Sequence, residues 1–214
     1  MLFRSFALLK RRIRLTAGDE WRTGLKHLVE LVTSGQSDAA LEQGEAVRRL
    51  YPEYVQDANA YEFLAEIKAA KGDKAGAMAV LVDYQKFGGS SPATLKKLAS
   101  LQEELGRPRD AAATLDAINE IYPVSDEDLH RRLGALWLKQ ENYPGAVREY
   151  AAVVALHPLD KAGALYDLAQ AYFAAQQLDK AEETVLGALE AAPGFRPAQQ
   201  LLLKIEDAAP KKRQ

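Results

Sequence analysis

Residues 161–195 read KAGALYDLAQAYFAAQQLDKAEETVLGALEAAPGF, and they divide into two helices. Leu165, Leu168, Ala169 and Tyr172 recur at helical spacing and lay one apolar stripe on a first helix. The polar QQLDK turn follows, and Ala181, Val185 and Ala188 lay a second stripe. Small residues stand where the two helices must approach closely, Ala169 on the first and Ala181 on the second. Pro193 and Gly194 stop the second helix. A helical hairpin this short cannot bury its own apolar faces, so it needs copies of itself on either side.

The rest of the chain supplies them. At 127–160 the same roles fall to Leu133-Gly134, Trp137, Ala146, Tyr150, Val153 and Pro158. At 92–125 they fall to Leu98-Ala99, Ala111, Leu115, Ile118 and Pro123. A further copy at 58–91 has Leu64-Ala65, Gly72, Ala77 and Leu81, with Gly88-Gly89 in place of the closing proline. From Ala77 through Ala111 and Ala146 to Ala181 the steps are 34, 35 and 35 residues. A degenerate copy fills 21–54, from Trp21 through Leu25, Leu28, Val32 and Ala40 to Val47 and Pro52. Departure from pattern belongs at the end of a stack, where one face meets water. After 195, Pro197 opens a short last helix over 197–207. Leu201, Leu202 and Ile205 are placed inward on it, with Gln199, Gln200 and Lys204 toward solvent, as a cap requires.

This order of residues resembles a tetratricopeptide repeat (TPR) of bacterial type, on Leu168-Ala169, Tyr172, Ala181 and Pro193 and their counterparts upstream. The resemblance implies an all-α, open right-handed α-solenoid of about five hairpins with a C-terminal capping helix. The aromatic at Trp137 and Tyr172 becomes Gln102 and Lys68 in earlier copies, so the first half is expected to pack more loosely around a more polar groove. The ending ETVLGALEAAPGFRPAQQLLLKIED also looks like repeats that trail some bacterial zinc peptidases, although no metal-binding helix is present.

Composition narrows the function. Hydrophobic residues at 48% suffice for a core, and charged residues at 27% are ordinary. The absence of cysteine excludes disulfides and thiolate metal sites. A formal charge of −2 hides basic ends. Arg4, Lys10, Arg11, Arg12 and Arg14 at the start, and Lys211, Lys212 and Arg213 at the finish, leave 20 of 28 basic residues against all 30 acids in 15–210, a balance of −10. An acidic body excludes a nucleic-acid surface there. No stretch is long enough to span a membrane, and MLFRSFALLKRR is a poor secretory signal, so the expected compartment is the cytoplasm.

Chemistry finds little footing. His27, His130 and His157 have no ligand-spaced partner, and no cofactor or metal site emerges. Gly88 to Pro92 follows a helix and lacks the GKS/T ending of a phosphate loop. It reads as a helix stop, an N-cap at Ser91 and a first helical residue at Pro92. Asp126–Asp128 reads as a helix N-terminal turn, and Glu182-Glu183 as a solvated face. No catalytic residues are assigned, and the chain is expected to have no enzymatic activity.

What remains is the set of first-helix positions that packing leaves free. By spacing these are Asn59, Glu62 and Glu66; Lys96, Ser100 and Glu103; Arg131 and Lys139; Tyr166 and Gln170. The resemblance implies that they line a concave groove for an extended peptide or helix of another protein, so the expected role is an interaction scaffold or adaptor. The alternative is an accessory repeat domain of a larger enzyme or secretion assembly. Co-chaperone members of the family clamp a C-terminal carboxylate with a Lys and an Asn. The pairs here are Glu62/Glu66, Lys96/Ser100 and Arg131/Ala135, so such tails are expected not to bind. The groove grades from acidic at Glu62/Glu66 to basic at Lys96, Arg131 and Lys139, which suits a ligand of matching polarity or an intramolecular partner.

Residues 1–18 form a basic amphipathic arm with Leu2, Phe6, Leu9 and Ile13 as its stripe. Four readings stay open: peripheral membrane contact through residues 1–15, an organelle transit segment, an N-terminal cap on the first hairpin, or the end of an upstream domain. Residues 208–214 read as a basic disordered tail.

Overall fold

The structure is a computed structural model that describes residues 17–121 and 125–208. The readings of the N-terminal arm and of the tail beyond 208 lie outside these residues. Among the described residues the secondary structure is entirely helical, and eleven helices follow one another. They are α1 (Ala17–Thr33), α2 (Ser37–Leu50), α3 (Ala60–Ala70), α4 (Lys74–Lys86), α5 (Pro92–Glu104), α6 (Pro108–Ile121), α7 (Glu127–Lys139), α8 (Tyr143–Ala155), α9 (Lys161–Ala174), α10 (Leu178–Ala191) and α11 (Arg196–Ala208).

Helix starts are written into the sequence. Asn59, Asp73, Ser91, Asp126, Asn142 and Asp160 each accept a hydrogen bond from the backbone N–H three residues on. Each bond satisfies one of the orphan donors of a first turn, which contributes about 1 kcal/mol. Pro92 sits inside the first turn of α5, where its missing N–H costs nothing. The turns between first and second helices each need one left-handed residue. Glycine supplies it at Gly35, Gly72 and Gly106, but Glu141 and Gln176 take the same conformation at φ 62° and 59°.

The chain divides into two compact units, residues 1–106 and 107–214. The first holds α1–α5 and the second α6–α11, so the third hairpin contributes one helix to each. In the first unit each helix packs on the next, and Leu28, Leu31, Ala40, Val47 and Ala60 form a core under the half-buried Trp21 and Leu25. A second core there gathers Tyr61, Leu64, Ala65, Ala77, Val80, Leu81, Tyr84 and Leu98. In the second unit consecutive helices again pack, with Ala146, Tyr150, Leu168 and Ala171 in one core. Ala169, Ala181, Val185, Ala188, Ala198, Leu201 and Ile205 form another, which α11 closes. Leu202 is half-buried there, whereas Leu203 is exposed. Ala77, Ala111, Ala146 and Ala181 are all 0% exposed. The period of 34 and 35 residues therefore marks fully buried positions, where a larger side chain would overpack.

Each unit is a stack of helical hairpins of the α-solenoid class.

Candidate functional site

In the first unit the first helices of successive hairpins, α3 and α5, line a cavity of about 240 Å³. Its floor is apolar: Ala65, Ala69, Leu81 and Leu101. Its rim carries Glu62, Glu66, Lys97 and Ser100, with the buried Thr94 completing the polar lining. Residues about one repeat apart bridge the rim. The Thr94 hydroxyl donates to Glu62 Oε1, and Lys97 Nζ donates to Glu66 Oε1. Lys97 is more than half exposed, so this pair contributes well under about 1 kcal/mol. Glu62 has no cationic partner among the described residues, although it sits half-buried against an apolar floor.

The sequence placed Glu62, Glu66 and Ser100 at this face, and the structure brings the three together. Lys96 and Glu103 are half-buried on α5 but do not line the cavity. Lys97 takes the rim position instead, one residue and about 100° of helix rotation away. Asn59 needs correction. It is 1% exposed, its Oδ1 accepts from the Glu62 N–H at 3.0 Å, and its Nδ2 donates to the Gln56 carbonyl at 2.8 Å. Its amide is spent on starting α3 and presents nothing to a ligand. The signal was present in Asn59 followed three residues on by Glu62, the spacing of a capping box. The first-half face, expected to be the more polar, combines an apolar floor with polar groups at its rim.

In the second unit the face of α7 and α9 is organised differently. Arg131 Nε donates to Glu127 Oε1 and its Nη1 to Asp167 Oδ2, each at 2.8 Å. Burial pushes the Asp167 carboxyl up, and the neighbouring Arg131 opposes the shift without cancelling it. Beneath them burial, with help from the Asp167 charge, pushes the Tyr150 hydroxyl up to about 12. Gln170 Nε2 donates to the Tyr166 hydroxyl at 2.6 Å, and the Tyr166 ring meets Phe195 edge-on at 5.3 Å. Lys139 is exposed at the end of α7.

A buried ionic cluster went unread in the sequence. Glu149 on α8 is 1% exposed and is satisfied by three donors. His130 Nδ1 lies 2.7 Å from Oε2, Asn119 Nδ2 donates to Oε2 at 3.3 Å, and Arg148 Nε donates to Oε1 at 2.6 Å. The bond to Glu149 is also the main reason the Arg148 guanidinium is pushed up. Arg148 Nη2 reaches on to Asp116 on α6 at 2.6 Å. Asn119, His130, Arg148 and Glu149 border a cavity of about 420 Å³, with Ser125, Ala152, Ala155 and Leu156 completing the lining. The visible clue is periodic: Glu149 falls three residues after Ala146 and four before Val153, on the buried stripe itself. The cluster ties α6, α7 and α8 together. His157 takes φ 53° in the turn before α9, and His27 is exposed beside Glu30.

Among the described residues no helix is long and apolar enough to cross a membrane, and no group of three His, Cys, Asp or Glu is placed to hold a metal ion. No curated protein matches the chain. Solved structures do. YrrB, described as a TPR protein with an unusual peptide-binding site, superposes with a TM-score of 0.58 at 18% identity, over 83% of this chain and 89% of its own. MamA from Desulfovibrio magneticus gives 0.55 at 25% identity, over 69% and 82%. A chain of the Naa15/Naa10 complex bound to HypK-THB gives 0.60 at 16% identity, over 88% of this chain and 29% of that one. The link to zinc peptidases gains no support from these likenesses. The tetratricopeptide repeat family model matches residues 138–205, which run from the end of α7 into α11. That match places tetratricopeptide repeats in residues 138–205, and the helical hairpins of the chain share the fold of solved TPR proteins.

Proposed function

We propose that the chain is a non-enzymatic protein-interaction scaffold, and that a partner's extended peptide or helix lies on the α3–α5 face of its first unit. The observation that carries this reading is the open apolar floor of Ala65, Ala69, Leu81 and Leu101 beneath a charged rim. A soluble protein leaves such a floor uncovered at a cost, and an apolar concavity rimmed by polar groups is the usual form of a recognition surface. Repeat folds of this kind typically act by holding other proteins, and YrrB has a peptide-binding site by its own description. A partner covering the faces of several helices buries on the order of 800 Å², enough for specific association.

Glu66 and Ala69 are both exposed on α3, so charge can be introduced there without disturbing the core. The full chain and its Glu66→Arg/Ala69→Arg variant, used as paired baits in native lysate, test the reading. Proteins held by the parent and lost by the variant support it. Equal retention by both would remove the α3–α5 face from the interaction.

A further inference from the structure

The rim and the floor of the α3–α5 cavity together specify a ligand, and this inference rests on the interaction reading above. We infer that the cavity receives one apolar side chain of an extended peptide that carries a lysine or arginine within two residues of that anchor, the cation pairing with Glu62.

Size comes first. At about 240 Å³ the cavity lies below the roughly 300–1,000 Å³ of small-molecule and cofactor sites, so it fits a single side chain better than a metabolite. The floor contributes only aliphatic and methyl groups, so the entering group gains by leaving water and finds no hydrogen-bond partner there.

Charge comes second. Lys97 is engaged by Glu66, which leaves that pair neutral. Glu62 is bonded only to a neutral hydroxyl, that of Thr94, and among the described residues no cation reaches its carboxylate. The mouth therefore carries one uncompensated negative charge beside an apolar floor, half-buried and so only partly screened by solvent. An acidic peptide, or a free C-terminal carboxylate, would meet Glu62 as a like charge and would have to displace Glu66 from Lys97. A cation beside the anchor meets neither obstacle. Glu62 also stands where its backbone is fixed: its N–H is held by Asn59, so the carboxylate projects from a capped first turn.

A random peptide library selected against the full chain tests this, followed by binding of one selected peptide and its Lys/Arg→Gln analogue by fluorescence polarisation. The expected selection is an aliphatic or aromatic residue with Lys or Arg within two positions. Glu62→Gln is expected to weaken the basic peptide roughly fivefold and to remove most of its salt dependence, while leaving the neutral analogue unchanged. Ala69→Trp, which fills the floor from an exposed helix position, is expected to abolish binding of both peptides. Circular dichroism of each variant reports whether it keeps the helical fold. Peptides that bind this face without a basic preference, or equal losses for both peptides in Glu62→Gln, would overturn the inference and leave the scaffold reading standing. Failure to select any peptide, or selected peptides indifferent to Ala69→Trp, would overturn both the anchor and its cavity.

Discussion

The α3–α5 face of the first unit and the α7–α9 face of the second come from the same repeat, yet they present different surfaces. Two repeats on from Glu62, at 34 and then 35 residues, stands Arg131. Two repeats on from Lys97 stands Asp167, and on from Ala69 stands Leu138. The charges have exchanged sides and a methyl group has become an isobutyl. In the second unit Arg131 is bound to Glu127 and Asp167, while Leu138 is packed half-buried into the core beside Tyr150 and Leu168. In the first unit the small Ala69 leaves the floor open. Packing at the period-setting alanines is held constant, and what lies between them decides whether a face is closed on itself or available.

Four sets of substitutions would break or sharpen that contrast. The largest effect belongs to the buried charge. Glu149→Ala strands the buried His130 and leaves Arg148 with Asp116 alone, and it is expected to cost about 3 kcal/mol in urea unfolding of the full chain. Glu62→Ala, removing a half-buried carboxylate held by a single hydroxyl, is expected to cost less than about 1 kcal/mol. Equal costs would mean that the two units do not differ in how they use acid groups.

Exchanging the floor residues comes next. Leu138→Ala is expected to lose about 2 kcal/mol, since packed methylenes leave a void, whereas Ala69→Leu fills space already empty and is expected to stay within about 1 kcal/mol of the parent. A large loss from Ala69→Leu would show that the cavity has no room.

The turns give a smaller effect of opposite sign in the two units. Gly72 at φ 83° tolerates no Cβ without strain, so Gly72→Ala is expected to lose about 1 kcal/mol. Glu141 already bears that strain at φ 62°, so Glu141→Gly is expected to raise the unfolding free energy slightly, by a few tenths of a kcal/mol. A destabilised Glu141→Gly would contradict the strain at that turn.

The smallest effect is a pH dependence. The Asp167 carboxyl is raised in the folded chain, so its ionisation works against folding, and the penalty is present above the folded pKa and relieved as pH falls through it. Asp167→Asn is therefore expected to be slightly more stable than the parent at neutral pH, with the difference shrinking as the pH is lowered into the carboxylate range. A gap that widened on acidification would reverse the sign of this account.

Much of the fold was legible because it depends on where small residues must sit. Ala77, Ala111, Ala146 and Ala181 recur at a fixed period, and every one is wholly buried. Ser91 and Asp126 announced their helices and cap them. The site was harder to read. Exposed first-helix positions are under no packing constraint, so a shift of one residue, Lys96 for Lys97, is invisible to spacing alone. Asn59 was mistaken because caps and grooves draw on the same polar residues. Glu149 was overlooked because a glutamate beside an arginine looks like a solvated pair until its donors on α6 and α7 are seen.

The contrast between the two faces can be measured directly by backbone and methyl NMR of the full chain, titrated with a selected apolar-basic peptide. Shift changes concentrated on Ala65, Ala69, Leu101 and Glu62, with α7 and α9 unmoved, are the expected result. Changes centred on Arg131, Asp167 and Tyr166, with α3 and α5 silent, would contradict it.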